Sequence, residues 1–418
     1  MKLNIDNILN KIFEFKAVPK ENLDNIKFIL KKLGNPEKNL KIIHIAGTNG
    51  KGSVASMLES VLIKAGCNVG KFTSPHITRF NERIIYNKKE IPDDEIAGFF
   101  DIIEKLTEKY NIYLNFFEIT TIIMFCYFNK VKPDYAIIEC GLGGRLDATN
   151  TGNSYLSLIT NISFDHTAVL GSTLTEIARE KTGIIHNGQV CIFAGNHPEL
   201  TEAVKNKTDN FIDIMTKYKN ISISLDKTSL CTEIDLNNIT FKIPLYGTFQ
   251  GWNFLLVYEA AKILNIEDSV IAEGISHVKW PGRFEIFSKN PLIILDAAHN
   301  ADSIRVLKDN ILSIFPDKSE TAVIISVLKD KDINEIFSCV EKFSDNIFCT
   351  SLKENHRGFS SEELKNIIKK NDPNISYYFD DNLEKLTEKA LSLNKKALIV
   401  CGSFYLISKF KNFFDTLN

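Results

Sequence analysis

One segment constrains the fold of this chain more than any other. The apolar run Ile42 to Ala46 leads directly into Gly47-Thr48-Asn49-Gly50-Lys51-Gly52-Ser53, and a helical pattern follows to about Ala65. A strand, a glycine-rich loop and a helix in that order form the phosphate-binding turn of a parallel α/β sheet. Glycines let backbone N–H groups turn inward around phosphate oxygens, and the helix N-terminus adds partial positive charge. Lys51 is placed to reach the β- and γ-phosphates. A plain glycine turn is the competing reading, and the strand, the lysine and the helix together weigh against it. The loop departs from the common pattern, in which Ser or Thr follows the lysine and holds magnesium. Position 52 is glycine, Ser53 comes one later, and Ile45 stands where the first glycine usually falls. The departure predicts that magnesium takes its oxygen ligands elsewhere.

The rest of the chain repeats the alternation. Tyr135 to Glu139 and Leu156 to Asn161 read as strands, and Leu23, Ile26, Ile29, Leu30 and Leu33 mark an early helix. The pattern breaks around Trp280-Pro281-Gly282-Arg283. Beyond it, strand-like runs at Leu292 to Asp296, Ala322 to Val327, Asn346 to Cys349, Ile375 to Phe379 and Ala397 to Cys401 alternate with helical patterns. That is the signature of a doubly wound, mostly parallel α/β domain. A length of 418 residues exceeds one ordinary core, and the expected division is 1–283 and 284–418. Residues 210–245 are β-rich and less regular, as in an antiparallel edge.

Bulk properties exclude several classes. Lys plus Arg number 50 against 52 Asp plus Glu, so nothing supports nonspecific nucleic-acid binding. Residues 1–15 read as an amphipathic helix without the apolar stretch or cleavage site of a signal peptide. The longest apolar run, Ile119 to Phe128, is too short to span a bilayer. Eight cysteines with no CxxC pair fit reduced thiols in a cytoplasmic protein and give no zinc site.

Four polar clusters stand at strand ends or in tight loops: Thr73-Ser74-Pro75-His76 with Asn81-Glu82-Arg83, the segment Glu139 to Asp147, Asp165-His166-Thr167, and Asp296 to Asn300. Ligands of α/β sheets bind at the carboxyl ends of strands, and carboxylates there are reasonable magnesium ligands. Each has a bland reading. Glu139 could be a solvated loop carboxylate, His166 a structural histidine, Asp296 a helix N-cap, Arg83 a surface charge, and Lys181 the charged last turn of a helix. Their co-occurrence with a phosphate loop is what favours function.

At this point the chain resembles a known family. HIAGTNGKGS, TSPH followed by NER, ECGLGGRLDATN, SFDHT, LGSTLTEIAREKTGI, PGRFE, LDAAHN and CGSFY occur in this order and cover nearly the whole chain. Together they resemble the folylpolyglutamate synthase and dihydrofolate synthase group of the Mur ligase superfamily. The resemblance implies an N-terminal P-loop ATPase-like Mur ligase central domain followed by a C-terminal Rossmann-like domain. It implies a ligase that uses ATP and Mg2+ to phosphorylate a folate or dihydropteroate carboxylate, which L-glutamate then attacks. It implies ATP contacts at Gly47, Thr48, Asn49, Gly50, Lys51, Gly52, Ser53, Asn253, Arg283 and Asp296, and metal contacts at Ser74, Glu139 and His166. Lys51, Lys181, His166 and Asp147 take catalytic roles, with Lys181 carbamylated, and Arg83, His299, Ser403 and Tyr405 shape the substrate sites. A monomer with small-molecule partners, no nucleic acid and no membrane is expected. Two departures stand out: Thr182 replaces the usual alanine after the special lysine, and Phe249 replaces a usual histidine before Gln250. A Mur-type ligase of cell-wall precursors and a non-ligating ATPase switch are the rival readings. Only about 40 residues precede the phosphate loop, which leaves little room for the extra domain of the first rival.

Overall fold

The computed structural model describes residues 5–14, 22–186, 188–329, 331–352, 358–368 and 374–415. The chain forms two compact units. One comprises Met1–Ser224, Glu233–Pro244 and Thr248–Val278, the other Leu225–Thr232, Leu245–Gly247 and Lys279–Asn418. A single boundary at 283/284 therefore understates the connection, because the chain contributes two short stretches to the second unit before entering it for good at Lys279.

The first unit is built on eight strands: β1 (Ile42–Ala46), β2 (Val69–Phe72), β3 (Ile84–Tyr86), β4 (Lys89–Glu90), β5 (Tyr135–Glu139), β6 (Ser154–Ile159), β7 (Val190–Phe193) and β8 (Phe211–Asp213). They lie in the order β4-β3-β2-β5-β1-β6-β7-β8. β1 runs parallel to β5 on one side and to β6 on the other, while β3 and β4 form an antiparallel edge. Every residue of β1 is buried, as expected of a parallel strand covered on both faces. The helix Lys51–Lys64 buries Val54, Ala55, Met57, Leu58, Val61 and Leu62 and packs against the helices Thr248–Ile263 and Asp268–Ile275. Truncating one such side chain, as in Leu58→Ala, would cost about 2–5 kcal/mol. The helix Phe116–Val131 starts at a capping box in which the Asn115 side chain accepts from Glu118 N–H. Its residues Ile119, Ile122, Ile123 and Phe125 join the core that also holds Ile8 and Ile12 of the N-terminal helix Ile5–Glu14. Residues 1–4 and 15 of the expected N-terminal helix lie outside the described residues. In the β-rich stretch 210–245, β9 (Ile223–Asp226), β10 (Cys231–Leu236) and β11 (Ile239–Ile243) form a small sheet in the order β11-β10-β9.

The second unit carries β12 (Glu285–Lys289), β13 (Leu292–Asp296), β14 (Thr321–Ile325), β15 (Asn346–Cys349), β16 (Ser376–Phe379) and β17 (Ala397–Cys401) in the order β12-β13-β17-β14-β15-β16. All neighbours are parallel except the β12–β13 pair. The chain leaves β13 through the helix Ala301–Ile314, passes over one position to β14, and fills the gap only with β17. Such a reversal places a crevice at the carboxyl ends of these strands. Among the described residues, no helix is long and apolar enough to cross a membrane. All eight cysteines are free.

Candidate active site

The phosphate loop is shaped by backbone that only glycine adopts easily. Gly47 has φ +141° and Gly50 has φ +89°. A Cβ on Gly47 would stand 1.9 Å from Thr160 Oγ1, and one on Gly50 would stand 2.6 Å from Asn253 Oδ1. The end of β6 holds the loop: Thr48 N–H donates to Asn161 O at 2.9 Å, Asn49 N–H to Asn161 Oδ1 at 3.0 Å, and Thr160 Oγ1 to Asn49 O at 2.6 Å. Lys51 Nζ folds back and donates to Gly47 O and Thr48 O at 3.0 and 3.1 Å. Ser53 lies in the first turn of the helix and is buried, with Gln250 Nε2 3.5 Å from its hydroxyl. Gln250 in turn accepts from Asn253 Nδ2 at 3.0 Å. Asn253 thus reaches the loop, whereas Phe249 is half-buried in the first turn of the helix Thr248–Ile263. Thr160 and Asn161 were not singled out by sequence, since their part depends on contacts between residues more than 100 positions apart.

The carboxyl end of β5 lies next to that loop, because β1 and β5 are neighbours. Glu139 is its last residue, is buried, and accepts from Ser74 N–H at 3.2 Å. Two of the three expected metal donors are thereby together. His166 follows β6 in a left-handed conformation, φ +50°, with its N–H donating to Asp165 Oδ1 at 2.9 Å and its imidazole half-exposed. A carboxylate, a hydroxyl and one imidazole suit Mg2+ or Mn2+.

Lys181 ends the helix Leu174–Lys181, which begins at the Thr173–Glu176 capping box. It is 3% exposed. Burial, reinforced by the charge of Lys51 and opposed by Cys140 and Asp165, pushes its ammonium down to about 7. The following loop docks on the segment after β5: Arg145 N–H donates to Glu180 O at 2.7 Å, Asn150 Nδ2 to Gly183 O at 3.0 Å, and Arg145 pairs with Glu180. Asp147 orders that segment. Its Oδ2 accepts from Leu142 N–H at 2.8 Å, and its Oδ1 accepts from the N–H and hydroxyl of Thr149 at 3.0 and 2.5 Å. These contacts are those of a loop brace.

Arg83 is buried rather than a surface charge. Its Nε donates to His76 Nδ1 at 2.8 Å and its guanidinium lies 5.2 Å from the Phe116 ring centre. Burial, helped by Arg83, lowers the His76 pKa to about 3, so His76 accepts as a neutral ring. Phe13, half-exposed, stacks on Phe116 at 5.1 Å. Phe117 lies against Gly141, where a Cβ would meet its ring at 2.4 Å. This aromatic wall was missed by sequence, although paired phenylalanines opening a helix were the available signal.

The remaining candidates gather in the second unit. Asp296 ends β13 and accepts from Phe284 N–H and Ala298 N–H, both at 2.8 Å. It is no N-cap, because Asn300 caps the following helix. Burial raises its pKa, and Arg283 and the two N–H donors oppose that. Arg283 lies 4.7 Å over the Phe404 ring, and His299 lies 5.9 Å from the same ring. His299 Nδ1 is 2.9 Å from Ala297 O. Ser403 Oγ accepts from Leu406 N–H at 3.1 Å and so caps the helix Phe404–Asp415, beside exposed Tyr405. Phe404, between Arg283 and His299, was overlooked.

Residues 45–261 match the Mur ligase middle domain and 282–404 match the Mur ligase, glutamate ligase domain. The chain is 32% identical over 412 residues to the dihydrofolate synthase/folylpolyglutamate synthase of Bacillus subtilis, covering 93% of this chain and 94% of that protein. E. coli FolC in complex with DHPP and ADP superposes with a TM-score of 0.86 at 26% identity, over 100% of this chain and 99% of that one. The bifunctional folylpolyglutamate synthase/dihydrofolate synthase of Yersinia pestis, complexed with AMPPNP and Mn ion, does so with a TM-score of 0.85 at 28% identity, over 99% and 98%. The chain therefore belongs to the dihydrofolate synthase/folylpolyglutamate synthase family of Mur ligases.

Proposed function

We propose that this chain is an ATP-dependent ligase that joins L-glutamate to the carboxylate of a folate or dihydropteroate through an acyl phosphate. The observation that carries the reading is the adjacency of the Gly47–Ser53 cradle to the buried Glu139 at the end of the neighbouring parallel strand. A carboxylate does not condense with an amine in water at a useful rate. An acceptor carboxylate oxygen attacks the γ-phosphorus, the bond to the bridging oxygen breaks, and ADP leaves. The amine of glutamate then attacks the acyl carbon, phosphate leaves with the C–O bond electrons, and the nitrogen gives up a proton.

Each step has residues suited to it. Backbone N–H groups of the loop and Lys51 neutralise charge on the transferring phosphoryl group. Ser74, Glu139 and His166 would hold a divalent ion, which supplies further positive charge at the phosphates. The half-exposed Phe116 and Phe117 rings beside buried Arg83 suit a flat aromatic acceptor that carries anionic groups. In the second unit, Arg283 and Asp296 would contact ATP, and His299, Ser403 and Tyr405 would line the glutamate site. Lys181, with a pKa near 7, keeps about half its amine neutral at neutral pH, against roughly one part in three thousand for an ordinary lysine. The neutral nitrogen can bond the carbon of CO2 and release a proton, giving a carbamate anion in place of a cation.

The test is ADP release by purified protein with ATP, magnesium and L-glutamate, comparing dihydropteroate and tetrahydrofolate as acceptors. Stimulation by either supports the reading, and by both makes the enzyme bifunctional. Stimulation by neither, with folded protein, overturns it in favour of another acceptor or an ATPase switch.

A further inference from the structure

Beneath the phosphate loop lies a buried polar chain that the mechanism above does not use. His44 sits in the middle of β1, in register with Ile138 of β5 and Ser157 of β6, and is 1% exposed. Its Nε2 is 2.8 Å from Thr149 Oγ1 and 3.2 Å from Cys140 Sγ. Thr149 has one hydroxyl proton and gives it to Asp147 Oδ1 at 2.5 Å. The hydroxyl oxygen is then left to accept from His44 Nε2–H. Burial keeps the imidazole neutral, with a pKa near 3, and keeps the Cys140 thiol protonated. The chain thus runs from the central strand through His44 and Thr149 to Asp147, and from Asp147 to Leu142 N–H.

Two features separate this chain from ordinary core packing. His44 Nδ1 is buried and has no hydrogen-bond partner. Burying an unpaired acceptor is unfavourable, so an aliphatic side chain would fill the position more stably. The use of histidine there is explained by what Nε2 does. The segment it anchors also links two elements of the site. It begins at Glu139, its Cys140 N–H donates to Ile45 O at 2.9 Å just before the phosphate loop, and its far side docks on the end of the Lys181 helix through Arg145 and Asn150.

We infer that His44 and Thr149 are positioning residues, whose buried relay to Asp147 fixes the 140–149 segment and so holds Glu139 and the Lys181 helix in register with the phosphate loop for divalent-metal binding. Outer partners of metal ligands of this kind typically change metal affinity by about 10–100-fold when removed. The inference rests on Glu139 being a metal ligand.

Mn2+ binding to the full chain with AMPPNP, followed by electron paramagnetic resonance of the free ion, tests it. His44→Leu and Thr149→Val should each weaken Mn2+ binding about tenfold or more, with the melting temperature of His44→Leu unchanged or raised. His44→Gln and Thr149→Ser keep a polar group at the same reach and should stay within about threefold of wild type. His44→Asn, equally polar but too short for Thr149, should lose affinity as the leucine variant does, which keeps the test open if Thr149→Val fails to fold. Equal affinity of the Gln and Asn variants, or wild-type affinity in His44→Leu, overturns the relay. Glu139→Gln separates the two layers. If it binds Mn2+ like wild type, the metal reading falls and takes the relay with it. If it weakens binding while the His44 variants do not, the relay alone falls.

Discussion

The two units both end parallel strands in functional loops, but they prepare those loops differently. In the first unit the loop backbone is fixed by contacts with no slack. Gly47 faces Thr160 with no room for a methyl group, Gly50 faces Asn253, and Asn161 takes both Thr48 and Asn49. Glu139 and Lys181 are buried. In the second unit the carboxylate of Asp296 is tied by two backbone N–H groups, Arg283 rests on the Phe404 ring and Tyr405 is exposed. Phosphoryl transfer rewards fixed donors aimed at developing charge, whereas admission of a small amino acid tolerates side chains that adjust. The comparison predicts steep losses from small changes in the first unit and shallower ones in the second.

The largest effect should come from Lys51→Ala, which removes the one side-chain cation of the loop. ATP turnover should fall by a factor on the order of 1000 or more, and activity within tenfold of wild type would break the comparison at its strongest point. Gly47→Ala should come next, with a loss of about 100-fold, because the new Cβ cannot avoid Thr160 and the backbone must leave its conformation. Nucleotide affinity measured by calorimetry would register it directly.

Lys181 gives a pH-dependent test. Its protonated form cannot attack CO2, so carbamate formation is suppressed below the pKa near 7 and released above it. Protein stripped of CO2 and returned to one fixed concentration of dissolved CO2 should regain activity about tenfold faster at pH 8 than at pH 6, in proportion to the neutral amine. Lys181→Arg should show no recovery at either pH. In the second unit, Arg283→Ala should cost about tenfold in kcat/KM, less than either loop variant, since its guanidinium acts from a half-buried perch. The smallest effect belongs to Phe249→His, which introduces the histidine that the family resemblance led one to expect. The ring is half-buried in a helix whose link to the loop runs through Gln250 and Asn253, so KM for ATP should shift by less than about threefold.

Sequence patterning reached the strands with continuous apolar runs. β1, β5, β13, β15 and β17 have the bounds read from sequence, because a parallel strand buried on both faces is a mostly apolar run. The expected strand Leu156 to Asn161 is displaced to Ser154–Ile159. Just beyond it, Thr160 and Asn161 hold the phosphate loop, a demand set by residues over 100 positions away. The loop and its lysine were legible because glycine and lysine at fixed spacing carry their own geometry. The clustering of Ser74 with Glu139 was suggested by their strand-end positions and by the family resemblance. His44 and Thr149 lie inside quoted motifs, but their pairing was not legible, since a histidine inside an apolar strand reads as core until its partner is seen. The second unit also takes in 225–232 and 245–247, excursions that were not legible, because short β-rich pieces carry no label of the sheet they join.

The central claim is that the acceptor carboxylate is phosphorylated before glutamate attacks. The direct measurement uses an acceptor labelled with 18O in its carboxylate and follows the label by mass spectrometry during turnover with ATP and L-glutamate. One labelled oxygen should appear in inorganic phosphate for each amide formed. Amide formation with the label absent from phosphate, or carried instead by AMP, would contradict the account.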